Sequence, residues 1–269
     1  MKNQLFLYLL ITTSLFSCKK DEESINYNSI LKNGLVAYYP FNGNANDESG
    51  NGINGTNNGA SLTNGRFNIN NSAYNFPNKG VIRTNKAITN VVNNFTISVW
   101  ALTKTQAPIK KQGFSSGNNG DVDGPPIVHP THGSTWDSQS AGVGIIFGNN
   151  QIQIIEHAAG YVFYPLVFSG NFVGWNHIIL TYENHIPKLY LNGKLVATGL
   201  ASSMPSIRPS NGFDSFQEYS ESGFGKSFYP SVAFNSTRQF EGIIDDYAIW
   251  NRLLNSEEIK FLYENDFKP

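Results

Sequence analysis

The sequence predicts an all-β protein, a two-sheet antiparallel sandwich with one short helix at its C-terminal end. Three observations predict it. Apolar and polar residues alternate with a period of two in several short runs, Asn- and Gly-rich turns separate those runs, and helical spacing appears once, near residue 260. No strand–helix–strand rhythm interrupts the pattern, so the sheets are expected to lie face to face rather than to be wrapped in helices.

Residues 34–41 (GLVAYYPF) form the first expected strand. Residues 95–102 (FTISVWAL) alternate cleanly, with Phe95, Ile97 and Val99 on one face and Thr96, Ser98 and Trp100 on the other. Residues 142–147 and 151–156 flank Gly148-Asn149-Asn150, a hairpin signal because Asn and Gly tolerate positive φ. Residues 175–182 (WNHIILTY) supply another strand. Residues 188–191 and 194–198 flank Asn192-Gly193, the strongest short-range hairpin signal. Residues 242–250 (GIIDDYAIW) are the last strand. In the closing helix Asn255 caps the first turn, Glu258 stands three residues on as a capping box, and Ile259, Leu262 and Tyr263 form an apolar stripe.

The first thirty residues suit export. Lys2 precedes an apolar run over 5–11, extended by Leu15 and Phe16, which is well short of the roughly 20 residues that span a bilayer. Leu15-Phe16-Ser17-Cys18 resembles a lipobox, whose cysteine is lipidated and becomes the new N-terminus; Cys18 is the one cysteine of the chain. Lys19-Lys20-Asp21-Glu22-Glu23 resembles the surface-export signal of Bacteroidetes lipoproteins, and equally suits a solvated linker. The expected organisation is a signal peptide over 1–17, lipidated Cys18 with a flexible tether over 18–30, and one domain over 31–269. Membrane attachment is then by lipid alone, at an outer membrane or the cell surface. With Cys18 lipidated the mature domain has no thiol and must hold itself together without a disulfide.

Roughly 240 residues remain for the domain, within the range of one large sandwich. Aromatic residues are 13% of the chain, charged residues 14%, and the formal net charge is −1. No basic stripe is present, which argues against a nucleic-acid partner.

Several segments together resemble the LamG-like (laminin G 3) jelly-roll domains of the concanavalin A-like lectin/glucanase group. These are residues 34–52, residues 95–100 (FTISVW), residues 174–178 (GWNHI) with residues 189–196 (LYLNGKLV), and residues 242–247 (GIIDDY) with Trp250-Asn251-Arg252 and the closing helix. They span about 34–265 in the family's order. The resemblance implies a jelly-roll fold and a structural Ca²⁺ between the 42–54 loop and the last strand, with Asp47 and Asp245 as side-chain ligands, carbonyls near Asn51 and Gly52, and Asp246 as a weaker candidate because strand neighbours face opposite ways. The same Asp residues suit Asx caps of turn amides.

Carbohydrate is the second expected ligand, since sugars stack on aromatic rings while polar groups fix their hydroxyls. The long 103–141 segment carries Phe114, Asp121, Asp123, His129, His132, Trp136 and Asp137, and loops of that length in a compact domain tend to be functional. Glu156, His157 and Tyr161 follow in a segment similar to a subgroup of these modules in bacterial surface proteins. The aromatics of 202–231 suit either a rim on the same face or a satellite core. His129 and His132 with Glu156-His157 offer a further, zinc-like set.

Glycosidases of this fold place paired acids at alternating positions of one strand, and hydrolysis needs such a pair. No such run occurs, and no Gly-x-Ser-x-Gly elbow either. The expected function is therefore a surface-anchored, non-catalytic binding module for glycan or another cell-surface partner. A glycoside hydrolase with an unread site and an adhesin-like structural accessory stand as alternatives.

Overall fold

The computed structural model describes residues 25–77, 80–84, 88, 90–115, 126–128, 139–158, 161–209, 223–224 and 240–269. Two sheets form a jelly-roll-type sandwich, as the alternation predicted. The larger has eight strands. Its path runs Lys194–Thr198, Ile186–Leu191, Asn176–Glu183, Phe95–Thr103, Gly242–Trp250, Ala73–Phe76 and Ser61–Thr63, and Leu35–Tyr39 also pairs with Gly242–Trp250. The six-stranded sheet runs Ser206–Arg208, Ser140–Phe147, Gln151–Ala158, Tyr161–Ser169 and Gly113–Phe114, with Pro126–Val128 also on Ser140–Phe147. A small third sheet joins Gly223–Phe224, Val81–Thr84 and Gly55–Asn58.

The main core lies between the sheets. Phe95, Ile97 and Val99 from the larger sheet meet Ile145, Ile154 and Leu166 from the smaller, all of them fully buried. The face predicted for Phe95, Ile97 and Val99 is thus the inner one. The opposite face of that strand was expected to be the more polar, yet Thr96, Ser98 and Trp100 are buried too. Helix Ser256–Glu264 lies over them, and its Ile259 and Leu262 join Tyr38, Ile179, Ala248 and Trp250 in a second cluster. The capping box at Asn255 and Glu258 is present as expected. Glu258 also takes Arg252 Nη2 at 2.6 Å, which fixes the helix to the strand before it.

One boundary differs from the sequence reading. Helix Tyr27–Lys32 begins inside the stretch expected to be tether. Asn26 caps it by accepting from Ser29 N, and Leu31 is fully buried. The Leu31 carbonyl accepts Trp250 Nε1–H at 2.7 Å, and Tyr27 stacks on Phe261 at 5.0 Å. A six-residue helix has too few backbone bonds to stand alone, so tertiary packing supplies its order.

If this helix belongs to the domain, Leu31→Ala leaves a cavity against Trp250 and lowers the unfolding free energy by about 2–4 kcal/mol. Urea denaturation checks it: a midpoint equal to the parent's would return the segment to the tether.

Candidate functional site

The strand Gln151–Ala158 turns Ile152, Ile154 and Ala158 into the main core, and Glu156 lies in the same row. An ionised carboxylate there has left water, and such a charge persists only with strong partners. Glu156 is fully buried and has three. Its Oε1 accepts from the Tyr182 hydroxyl at 2.9 Å, and its Oε2 from the Tyr161 hydroxyl at 3.0 Å and the Ser202 hydroxyl at 2.5 Å. Tyr182 comes from the opposite sheet, so this acid ties the two layers together. Burial pushes its carboxyl up to about 7, against the pull of the three hydroxyls.

A bulge shapes the surroundings. Between the pairs Ile154–Leu166 and Glu156–Phe163 the second strand carries an extra residue, next to Pro165, which has no N–H to give the ladder. Beyond the bulge, Tyr161 and Phe163 share the side of Glu156. Phe114 pairs with Phe163 from the edge strand, with rings 4.8 Å apart, and stands edge-on to Tyr161 at 5.4 Å. Phe163 is buried and Tyr161 half-buried, while Phe114 is 66% exposed. The result is a ring cluster that runs from the surface to a buried carboxylate, with Ser202 closing its floor.

The outer faces of the two main sheets are partly covered. Across the outer face of the six-stranded sheet lies the 104–112 segment. Lys110 N donates to Gln151 Oε1 at 3.0 Å, Gln151 Nε2 returns to the Lys110 carbonyl at 3.1 Å, and Gln153 Nε2 donates to the Pro108 carbonyl at 2.6 Å. The middle of the larger sheet's outer face lies under the C-terminal helix.

Of the residues expected to bind a sugar, Phe114, Glu156 and Tyr161 come together. His157 does not join them: it pairs with Gly142 and Val162 and, as the next residue along the strand, points to the other face. His129, His132, Trp136 and Asp137 lie outside the described residues, as does Cys18. Tyr182 and Ser202 carry no signal in the sequence, since each reaches Glu156 across a long gap in the chain.

The expected calcium ligands have other partners. Asp47 Oδ1 accepts from Tyr38 N at 3.0 Å and Ser49 N at 2.9 Å, and its Oδ2 from Ile53 N at 2.9 Å, the Asx-cap arrangement. Asn51 donates through Nδ2 to the Val36 carbonyl at 2.9 Å, and Gly52 takes a left-handed φ of 68° in the same loop. Asp245 and Asp246 were expected to diverge. They converge instead, because Asp246 sits at a φ of 42° where the strand slips register before Ala248. Both carboxylates accept from Arg66 Nη1. Among the described residues no group of three or more His, Cys, Asp and Glu side chains is placed to share a metal ion. Donor hydrogens directed at these oxygens do not fit a hard cation that needs six to eight oxygen ligands.

A family profile described as the concanavalin A-like lectin/glucanases superfamily (Laminin_G_3) matches residues 76–260. The chain belongs to this superfamily. Among solved structures it is similar to domain 4 of AbnA, a GH43 extracellular arabinanase from Geobacillus stearothermophilus, in complex with arabinotriose. That likeness has 17% identity and a TM-score of 0.55, over 85% of this chain and 98% of that one. It is similar to the binding domain of Paraclostridial Mosquitocidal Protein 1, at 18% identity and a TM-score of 0.59 over 87% of this chain. It is also similar to the botulinum neurotoxin serotype D binding domain, at 17% identity and a TM-score of 0.57 over 87% of this chain. This chain spans 52% of each of those two toxin fragments. At such identities the likeness concerns the fold. A comparison with curated proteins gives no match.

The raised carboxyl of Glu156 has a consequence for stability. Its folded value of about 7 lies above the ordinary 4.5, so the folded chain holds more protons in that window and stability falls as pH rises through it. Glu156→Gln cannot ionise and should flatten that fall, leaving the variant relatively more stable at pH 8 than at pH 5. Melting temperatures of both proteins across this range check it; parallel curves would assign the titration to another group.

Proposed function

We propose that the chain is a carbohydrate-binding module on a lipid-anchored surface protein, and that it holds a neutral oligosaccharide against the rings of Phe114, Tyr161 and Phe163. The observation that carries this reading is Phe114, a large exposed aromatic clustered with two further rings at the rim between the sheets. The apolar face of a sugar stacks on such rings, and the polar floor at Ser202 and Glu156 gives the rim a defined shape. The solved likeness in complex with arabinotriose supports the class of ligand. The N-terminal lipobox-like segment supports the anchor and a place at the outer membrane or cell surface, where glycans are the available partners.

A catalytic reading has one observation in its favour, the carboxyl of Glu156 held near neutrality. Glycoside hydrolysis needs a second carboxyl across the bond. Among the described residues the partners of Glu156 are hydroxyls, so binding is the better reading.

Calorimetric titration with arabinotriose, followed by a panel of neutral plant and host oligosaccharides, tests the proposal. Phe114→Ala should weaken binding tenfold or more, the scale of one lost stacking contact of about 1.4 kcal/mol, while leaving the melting temperature in place because the ring is exposed. Binding unchanged in Phe114→Ala but lost in Trp136→Ala would move the site to the 129–138 segment. Silence toward every glycan, or released reducing sugar, would overturn the module reading. Cys18→Ala should separately abolish fatty-acid labelling in cells and free the protein from the membrane fraction; labelling that persists would remove the anchor.

A further inference from the structure

Arg66 follows the edge strand Ser61–Thr63 in a turn, 179 residues before Asp245 in the chain. Its side chain is 6% exposed, so its charge has left water. Nη1 donates to Asp245 Oδ2 at 3.1 Å and to Asp246 Oδ2, and the Arg66 backbone N donates to the same Asp245 oxygen at 3.1 Å. Nη2 reaches the half-exposed Asp266 at 3.4 Å, beside Lys268. The guanidinium carbon lies over the rings of Phe67 and Trp100, 4.3 Å and 5.0 Å from their centroids. The backbone is fitted to this contact: a Cβ on Gly65 would come 2.8 Å from Asp245 Oδ2. The left-handed turn at Asp246 brings the second carboxylate to the same nitrogen.

We infer that Arg66 is the built-in cation of the Asp245–Asp246 pair, occupying the place where a divalent ion would otherwise bridge the early loops to the last strand, so that the fold of this chain is independent of calcium. The chemistry of the site favours a guanidinium. Two carboxylates converge within the last strand, and Nη1 of the guanidinium donates to both while Nη2 turns to Asp266, with the rings of Phe67 and Trp100 close to the guanidinium carbon. A spherical ion has no use for those rings. Arginine also keeps its charge at every accessible pH, so one positive charge stands against the pair without any ligand from solution. The inference concerns the opposite face of the larger sheet from Glu156 and stands apart from the glycan reading.

Thermal melting of the purified full chain in excess calcium and in excess EDTA tests it, with Arg66→Lys and Arg66→Met alongside. The wild-type midpoints should coincide in the two buffers. Arg66→Met should melt well below wild type, and Arg66→Lys between the two, because lysine keeps the charge and loses the fork. Where Arg66→Met fails to fold, the wild-type pair and Arg66→Lys still decide. A wild-type midpoint that falls in EDTA and recovers with calcium overturns the inference, as does Arg66→Met or Arg66→Lys melting with wild type.

Discussion

In the eight-stranded sheet the strand Phe95–Thr103 runs between Asn176–Glu183 and Gly242–Trp250, and both of its faces are out of water. An apolar inner face is ordinary for a sandwich. The outer face is the demanding one, because its side chains are polar and each needs a partner once helix Ser256–Glu264 covers them. Thr96 donates to the Arg252 carbonyl at 2.9 Å and accepts from Leu254 N at 3.1 Å, which sets the turn between the last strand and the helix. Ser98 shares a 2.8 Å hydrogen bond with His177 Nε2, and the His177 ring stacks on Trp100 at 4.7 Å. Burial, with Arg66 nearby, pushes His177 down to about 3, so it serves as a neutral packing group. The helix, the turn before it and helix Tyr27–Lys32 all exist to close this one face.

The same constraint explains why acids that resemble metal ligands are spent inside the protein. Wherever loops meet the covered sheet, backbone amides and guanidinium groups need acceptors. Asp47 satisfies three amides of its own loop and of the first strand. Tyr38 donates its hydroxyl toward Asp246 and the Phe267 carbonyl, each at 2.8 Å, which brings the C-terminal residues down onto the sheet. Composition alone cannot separate an Asp that holds an ion from one that holds amides, because both need oxygens converging in a Gly- and Asn-rich loop.

Strands with strict alternation were legible: residues 95–102, 175–182 and 242–250 fall within one or two residues of the observed elements, and the Asn192-Gly193 hairpin and the capping box are where the residues put them. The strand Gly55–Asn58 gave no signal because its Thr-Asn-Asn face is exposed, and Tyr161–Ser169 was hidden by Pro165 and the bulge beside it. The wrong expectation for Asp245 and Asp246 has a local cause, since period-two reasoning assumes an unbroken strand and Asp246 leaves it. Part of the candidate site was visible as Phe114, Glu156 and Tyr161. Ser202 and Tyr182 were not, and neither was Arg66 on the opposite face, because a serine, a tyrosine and an arginine acquire their roles from contacts made dozens to hundreds of residues away, and nothing local marks them.

The hydrogen-bond economy of the Glu156 group also bears on how the proposed site would choose its ligand. A hydroxyl has one hydrogen, and those of Tyr161, Tyr182 and Ser202 are directed at the carboxylate. Ser202 Oγ in addition accepts from Met204 N at 3.1 Å. These groups are largely committed to one another, so they build the floor rather than read a sugar's hydroxyl pattern. What remains for a ligand is ring surface, chiefly Phe114. Stacking of that kind discriminates by the shape of a sugar's apolar face and is tolerant of substituents elsewhere on the ring. A site built this way gains its strength from many weak contacts along a polymer rather than from one tight monosaccharide pocket.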